Sequence, residues 1–189
     1  IWEQPEGVNC IRGISDRDGS AGVNFFSSQP ALNYGYANPT RPYQQKPTDP
    51  APMATRAAIK DIMKFWLDMG VDGFREDVIT FISKKKGLPS SPYWFPVATG
   101  IENYMHGPHL DEYLLEFKND VLSKYDCMTV GEAPMMTVKN ALKHITEGPE
   151  QHLNMMFHFE HMAADCLFYS WFKTKFSLKK LKKVFTRWQ

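Results

Sequence analysis

Segments that suit helices alternate with short segments that suit strands between residues 53 and 189, and this alternation constrains the fold more than any other feature of the chain. Apolar residues spaced three and four apart predict four helices. Short apolar runs predict strands near residues 73–79, 127–131 and 153–159. Because such alternation is typical of a parallel sheet covered by helices, the sequence predicts an α/β fold.

The predicted helices have recognisable ends and apolar faces. Gly70 is placed to end the first helix in a left-handed conformation. Thr137 and Ser177 can cap the third and fourth helices with their hydroxyl groups. The residues expected to face inward are Ile59, Ile62, Met63, Trp66 and Leu67 in the first helix, Leu114, Phe117, Val121 and Leu122 in the second, Val138, Ala141, Leu142 and Ile145 in the third, and Leu178, Leu181, Val184, Phe185 and Trp188 in the last.

The first part of the chain lacks this periodicity and is rich in Gly, Asn, Ser and Pro. We interpret residues 1–47 as the end of an inserted domain with a linker, and residues 48–189 as part of a (β/α)₈ barrel with about three to four strand–helix units. An open doubly wound sheet is the alternative, but no Gly-rich phosphate loop follows a predicted strand. A complete barrel needs about 250 residues, so we expect this chain to be a central fragment.

Composition excludes several classes of function. A net charge of +1 argues against a nucleic-acid partner, and no apolar run is long enough for a membrane span. The three cysteines match no metal-binding spacing and fit a reducing, cytoplasmic location. We interpret four histidines as loop or packing residues, so no metal or cofactor is expected within this chain; they are His106, His109, His158 and His161.

Two acidic strand ends are the candidates for chemistry. Side chains alternate along a strand, so Arg75 and Asp77 share one face and Glu76 takes the other. A neighbouring Arg favours an ionised Asp77, as a nucleophile requires, although a simple ion pair is an equally open interpretation. Glu132 ends an apolar strand before a Pro, and apolar surroundings favour the protonated form that a general acid needs. An ordinary loop carboxylate is the alternative there.

Considered together, the two carboxylates predict one site. The carboxyl ends of neighbouring parallel strands lie at the same rim, where barrel enzymes place their active residues. Environments that push two carboxyl pKa values in opposite directions assign one group as nucleophile and the other as acid. The pair therefore favours a retaining glycosidase, in which two carboxyl groups face each other across the scissile bond.

The chain resembles the α-amylase family of glycoside hydrolases, and within it the oligo-1,6-glucosidase branch. Four segments carry the resemblance, in family order: Gln29-Pro30-Ala31-Leu32-Asn33-Tyr34, Gly73-Phe74-Arg75-Glu76-Asp77-Val78-Ile79, Thr129-Val130-Gly131-Glu132-Ala133-Pro134 and Phe157-His158-Phe159-Glu160-His161-Met162. The resemblance implies a (β/α)₈ barrel entered from an inserted domain B, with Asp77 as nucleophile, Arg75 as its partner and Glu132 as proton donor.

The resemblance also implies a substrate. In this family a Val after the nucleophile goes with cleavage of α-1,6 bonds, so Val78 favours short isomaltose-type gluco-oligosaccharides. Plain β-propensity is the alternative reason for a Val there. Phe25 and Gln29 are expected to help wall the glucose pocket.

The sequence departs from the family pattern in two ways. Glu76 stands where an apolar residue is usual, and we expect it to be paired or to reach solvent, because an unpaired buried carboxylate costs several kcal/mol. The Asn-His and Asn-His-Asp segments of the family are missing, as is its calcium loop, so a calcium ion is expected only in a full enzyme. With the rest of the catalytic domain missing at both ends, we expect the isolated chain to be inactive or poorly active.

Other functions stay open. The same nucleophile and acid could serve an α-1,4-glucosidase or a family transferase such as trehalose synthase. A non-catalytic family scaffold is disfavoured because Asp77 and Glu132 are both present. An unrelated flavodoxin-like binding domain would require an open sheet.

Overall fold

The structure, a computed structural model, describes residues 10–11, 21–22, 31–40, 42–85, 101–167 and 172–189. Its strands are β1 Cys10–Ile11, β2 Ala21–Gly22, β3 Gly73–Glu76, β4 Met128–Glu132, β5 Met155–Phe157, β6 Cys166–Leu167 and β7 Phe172–Lys173. Its α-helices are α1 Pro50–Asp68, α2 Ile101–Tyr104, α3 Leu110–Asp120, α4 Val138–Ile145 and α5 Leu178–Trp188. Short 3₁₀ turns cover Ile79–Phe81, Leu122–Lys124 and Glu160–Ala164.

The described residues fall into two compact units. One contains residues of Ile1–Lys64 and Thr80–Tyr113, and the other contains Phe65–Ile79 with residues of Leu114–Gln189. The predicted division of the sequence at residues 47 and 48 stays a prediction.

The second unit is built on a parallel sheet in the order β3-β4-β5. Arg75 pairs with Val130, and Glu132 pairs with Phe157. A polar clamp supports the β4–β5 pairing: Asn154 Oδ1 accepts hydrogen bonds from the backbone N–H and the hydroxyl of the buried Thr129, at 2.9 and 3.1 Å. Because helices connect these parallel strands, the predicted α/β fold is confirmed.

Two of the three parallel strands are shorter than the sequence predicts, whereas β4 has the predicted length of five residues. β3 ends at Glu76 instead of residue 79, and β5 covers three residues. Asp77 and Val78 therefore lie in the turn that follows β3.

The predicted helix ends are confirmed. Gly70 has a φ of +93°, and its N–H donates to the Leu67 carbonyl at 2.9 Å. The hydroxyls of Thr137 and Ser177 each accept a hydrogen bond from a backbone N–H three residues later. In each case the local residue chemistry satisfies backbone groups that the helix itself leaves unpaired.

The predicted apolar faces are confirmed only in part. All four residues of the second face are buried, namely Leu114, Phe117, Val121 and Leu122. In α1, by contrast, Met63 and Leu67 are buried while Ile62 and Trp66 are about half exposed; in α5, Val184 is buried and Leu178 is 70% exposed. The expectation that these residues face inward is wrong for Ile62, Trp66, Leu142, Leu178 and Phe185, because the three described parallel strands cover only part of each apolar stripe.

The other unit has its own core. The Tyr113 hydroxyl donates to the Tyr34 carbonyl at 2.8 Å, and the Arg56 guanidinium lies 5.0 Å from the centre of the Tyr113 ring. Gly35, at a φ of +85°, lies so close to Pro47 that a Cβ atom would contact its backbone.

Among the described residues, no helix has both the length and the apolar character that a membrane span requires.

Candidate active site

The candidate site lies at the carboxyl ends of β3 and β4. Glu132 is the last residue of β4, and Asp77 is the first residue after β3. Because Glu76 pairs with Gly131, the next residue of each chain segment reaches the same level of the sheet. Parallel pairing in this register therefore brings together two carboxyl groups that are 55 positions apart in the sequence.

Arg75 joins the two carboxyl groups. Its Nη1 donates to Asp77 Oδ1 at 2.6 Å, and its Nη2 donates to Glu132 Oε2. The guanidinium also lies 5.6 Å from the centre of the ring of Phe157, the last residue of β5. A planar fork of donors can hold two carboxylates in fixed positions, which a lysine cannot do. The predicted partnership of Arg75 with Asp77 is present, and Arg75 contacts Glu132 as well.

The two carboxyl groups have different environments. The Asp77 side chain is 71% exposed, whereas that of Glu132 is 11% exposed. Burial, followed by a hydrogen bond with Asp77, raises the pKa of Glu132, and the positive charge of Arg75 only partly opposes this. Glu132 therefore holds its proton to a higher pH than an ordinary Glu does, as a general acid requires.

Val78 connects the turn after β3 to Glu132. Its backbone N–H donates a hydrogen bond to the Glu132 carboxyl group, which stabilises the ionised form. The φ of Val78 is +37°, a conformation that a β-branched residue rarely adopts. Because β-branched residues favour extended backbone, β-propensity does not account for a Val at this position. Phe25 and Gln29, the two predicted pocket residues, lie outside the described residues.

The environment of Glu76 differs from the one predicted from the sequence. Exposure alternates as predicted from Arg75 to Asp77, although Asp77 lies one residue beyond β3: Arg75 and Asp77 are exposed and Glu76 is buried. The expectation that Glu76 is paired or reaches solvent is wrong: it is 8% exposed, and neither carboxyl oxygen has a hydrogen-bond partner among the described residues. Burial raises its pKa to about 7. The raised pKa means that Glu76 can become neutral at higher pH than an ordinary Glu, which reduces the cost of burying its charge.

The segment that follows β5 packs against α5. The His158 ring stacks on Trp188 at 3.9 Å between centroids, with 4° between the planes. Glu160 accepts hydrogen bonds from Trp188 Nε1 at 2.7 Å and from Arg187 Nη2. These contacts attach α5 to the end of the sheet and agree with the interpretation of His158 as a packing residue.

Sequence reasoning missed one cluster of possible ligands. His144 and His152 are both buried, and their Nδ1 atoms lie 2.7 Å apart. Their spacing of eight residues matches no familiar ligand motif. Only the fold shows that the two rings meet.

Comparison with known proteins gives a consistent result. Residues 48–189 match the family model described as the alpha-amylase catalytic domain. The oligo-1,6-glucosidase of Parageobacillus thermoglucosidasius is 46% identical over 137 residues, which cover 71% of this chain and 24% of that protein. The alpha-glucosidase of Pediococcus pentosaceus is 38% identical over 169 residues, covering 87% of this chain and 27% of that protein.

Solved structures show the same relationship. The crystal structure of Bacillus licheniformis trehalose-6-phosphate hydrolase superposes with a TM-score of 0.63 at 32% sequence identity. The match covers 78% of this chain and 27% of that one. The chain therefore spans about a quarter of the length of the relatives that it matches.

Proposed function

Since this chain belongs to the α-amylase family of glycoside hydrolases, we propose that it supplies the nucleophile and the acid/base of a retaining α-glucosidase that acts on short α-1,6-linked gluco-oligosaccharides. In this proposal Asp77 is the nucleophile and Glu132 is the acid/base. The observation that carries it is the Arg75 fork, which holds these two carboxyl groups together at one rim of a parallel sheet.

The environments of the two carboxyl groups support their assignment. Glu132, buried and with a raised pKa, would protonate the glycosidic oxygen while Asp77 attacks the anomeric carbon. Water, activated by Glu132 as a base, would then hydrolyse the covalent intermediate with net retention. The carboxyl groups now hydrogen-bond to each other, whereas retaining enzymes hold them about 5–5.5 Å apart. They would have to separate to admit the glycosidic bond.

The linkage preference rests on Val78 and on the names of relatives. The Parageobacillus relative is named an oligo-1,6-glucosidase, and Val78 has a conformation that general β-propensity does not explain. An α-1,4-glucosidase is the second candidate, supported by the alpha-glucosidase name of the Pediococcus relative. A small oligosaccharide is the proposed partner in either case. Cys127 and Cys166 are free thiols, which fits the cytoplasmic location that forms part of this proposal.

The chain alone is proposed to have little or no activity. It spans about a quarter of its relatives, and transition-state stabilisation depends on a complete, preorganised site. A chimera can test the site in a complete frame: residues 48–189 of this chain replace the matching segment of the Parageobacillus oligo-1,6-glucosidase. Its folding is checked by circular dichroism before activity is measured.

Two variants of the chimera test the roles of the carboxyl groups. Asp77→Asn should lower kcat on isomaltose by roughly a thousandfold or more. Glu132→Gln should reduce turnover of isomaltose much more than turnover of p-nitrophenyl α-glucoside, whose leaving group needs little protonation. Asp165→Asn, at an exposed residue of the same unit, is the matched control and should leave both rates unchanged. Unchanged turnover in folded Asp77→Asn would refute the nucleophile assignment.

A third variant tests linkage. Val78→Ala should raise the ratio of maltose to isomaltose hydrolysis in the chimera. If the unaltered chimera itself prefers maltose, the α-1,4 candidate replaces the α-1,6 one. If it forms transfer or isomerisation products with little free glucose, the hydrolase proposal fails.

A further inference from the structure

A pair of buried histidines lies at the end of α4 and in the segment that leads into β5. His144 is in the last turn of α4, and His152 follows it by eight residues. The two side chains are 5% and 6% exposed. Their Nδ1 atoms lie 2.7 Å apart, and the ring centroids are 4.9 Å apart at an interplanar angle of 48°.

The backbone holds this pair in place. The N–H groups of His152 and Leu153 both donate to the His144 carbonyl, at 2.8 and 3.0 Å. The connecting segment contains Gly148, whose φ of +144° suits glycine. The two imidazoles are thus anchored at both ends of a short closed loop. Their convergence needs no movement of the backbone, so the geometry is preorganised.

The chemistry of the pair suits a metal ion. Neutral imidazoles joined by one N–H···N hydrogen bond need one proton between the two Nδ1 atoms. When both rings carry their proton on Nε2, two lone pairs face the same point. A tetrahedral ion with bonds of about 2.0–2.1 Å sets its ligand nitrogens roughly 3.3 Å apart. The rings therefore need to separate by only about 0.6 Å from their present 2.7 Å.

We propose that His144 and His152 form a binding site for a borderline divalent transition-metal ion, with Zn²⁺ as the representative ion. Nitrogen ligands favour Zn²⁺, Cu²⁺ and Ni²⁺ over Mg²⁺ and Ca²⁺, which prefer oxygen. The two imidazoles would supply two nitrogen ligands of the ion's coordination shell. The ion joins the end of α4 to the segment that enters β5, so its role is structural. This site is independent of the proposed glycosidase function and differs from the expectation that the chain binds no metal.

Zinc binding is measured directly on the 189-residue chain. Equilibrium dialysis against ZnCl₂ should give one zinc per chain, and zinc should raise the unfolding midpoint reversibly, with EDTA restoring the original value. Equal concentrations of MgCl₂ should leave the midpoint unchanged. His144→Ala and His152→Ala should each weaken zinc binding by roughly tenfold or more. His161→Ala, which removes a histidine outside the pair, is the matched control and should bind zinc as the unaltered chain does.

A second measurement keeps the test decisive if a histidine variant does not fold. Long-range ¹H–¹⁵N spectra of the unaltered chain report each imidazole nitrogen, and zinc should shift the Nδ1 signals of two histidines that share the buried pair. No zinc uptake by the unaltered chain would overturn the proposal. So would zinc binding that persists in a folded His144→Ala, His152→Ala double variant, or zinc-induced shifts confined to other histidines.

Discussion

At the end of β3 and the start of the turn that follows it, two adjacent acidic residues face opposite sides of the chain and lie in different surroundings. On one face Asp77 is exposed and held by the Arg75 guanidinium, which also binds Glu132. On the other face Glu76 is buried without a hydrogen-bond partner among the described residues. A cationic fork fixes the positions of two carboxyl groups, whereas enclosure alone raises the pKa of a carboxyl group. Adjacent residues can thus carry very different chemistry, because the chain sends their side chains to different surroundings.

Removing the fork should have the largest effect. In the chimera, Arg75→Ala leaves Glu132 without its cation and Asp77 without its anchor, so kcat/KM on isomaltose should fall by about a thousandfold. Arg75→Lys should recover only a small part, since a point charge cannot hold two carboxyl groups bidentately. Activity of the lysine variant close to that of the chimera would show that charge alone is sufficient.

Disrupting the pairing between β3 and β4 should have the next largest effect. Gly73 has a φ of +146°, and a Cβ atom there would overlap the backbone carbonyl of Met128. Gly73→Ala should therefore disrupt β3–β4 pairing and reduce the free energy of unfolding by about 3 kcal/mol or more, measured by urea denaturation. Gly70→Ala is the matched control: its φ is +93° but no atom lies within 4 Å of the added Cβ, so only about 1 kcal/mol should be lost. Equal losses would contradict the contact explanation.

The buried face predicts a dependence of stability on pH. The pKa of Glu76 is about 7 in the folded chain and 4.5 in an unperturbed Glu. Between these values the unfolded chain has lost this proton and the folded chain retains it, so the free energy of unfolding falls as pH rises. Glu76→Gln should remove this dependence on pH. The difference in free energy of unfolding between the variant and the unaltered chain should therefore shift in favour of the variant by up to about 3 kcal/mol from pH 4 to pH 8. Urea denaturation at both pH values measures the difference, and Glu147→Gln, at an exposed residue, should show none.

Strain in the turn between the two faces should produce the smallest effect. Val78→Ala removes the side chain but keeps a β-carbon at a φ of +37°, whereas Val78→Gly also removes the strain. The free energy of unfolding, measured by urea denaturation, should be about 1 kcal/mol higher for the glycine variant than for the alanine variant. This order reverses the usual advantage of Ala over Gly. The usual order would mean that the turn relaxes at little cost.

Local residue patterns were sufficient for much of the fold. The caps at Thr137 and Ser177, and the left-handed stop at Gly70, depend on a few consecutive residues and were correctly predicted. The shared face of Arg75 and Asp77 follows from strand alternation. The length of β3 was overestimated because Val78 and Ile79 favour strands, while the structure turns at Asp77.

The amino-acid sequence by itself determined the α/β class, the helix caps and the candidate pair Asp77 and Glu132, because each depends on nearby residues or on a recognisable motif. Only the tertiary structure decided that Arg75 contacts both carboxyl groups, that Glu76 is enclosed and that His144 meets His152. The physical reason is that register, burial and convergence depend on which distant segments pack together. No local pattern encodes the distance between two side chains on different elements.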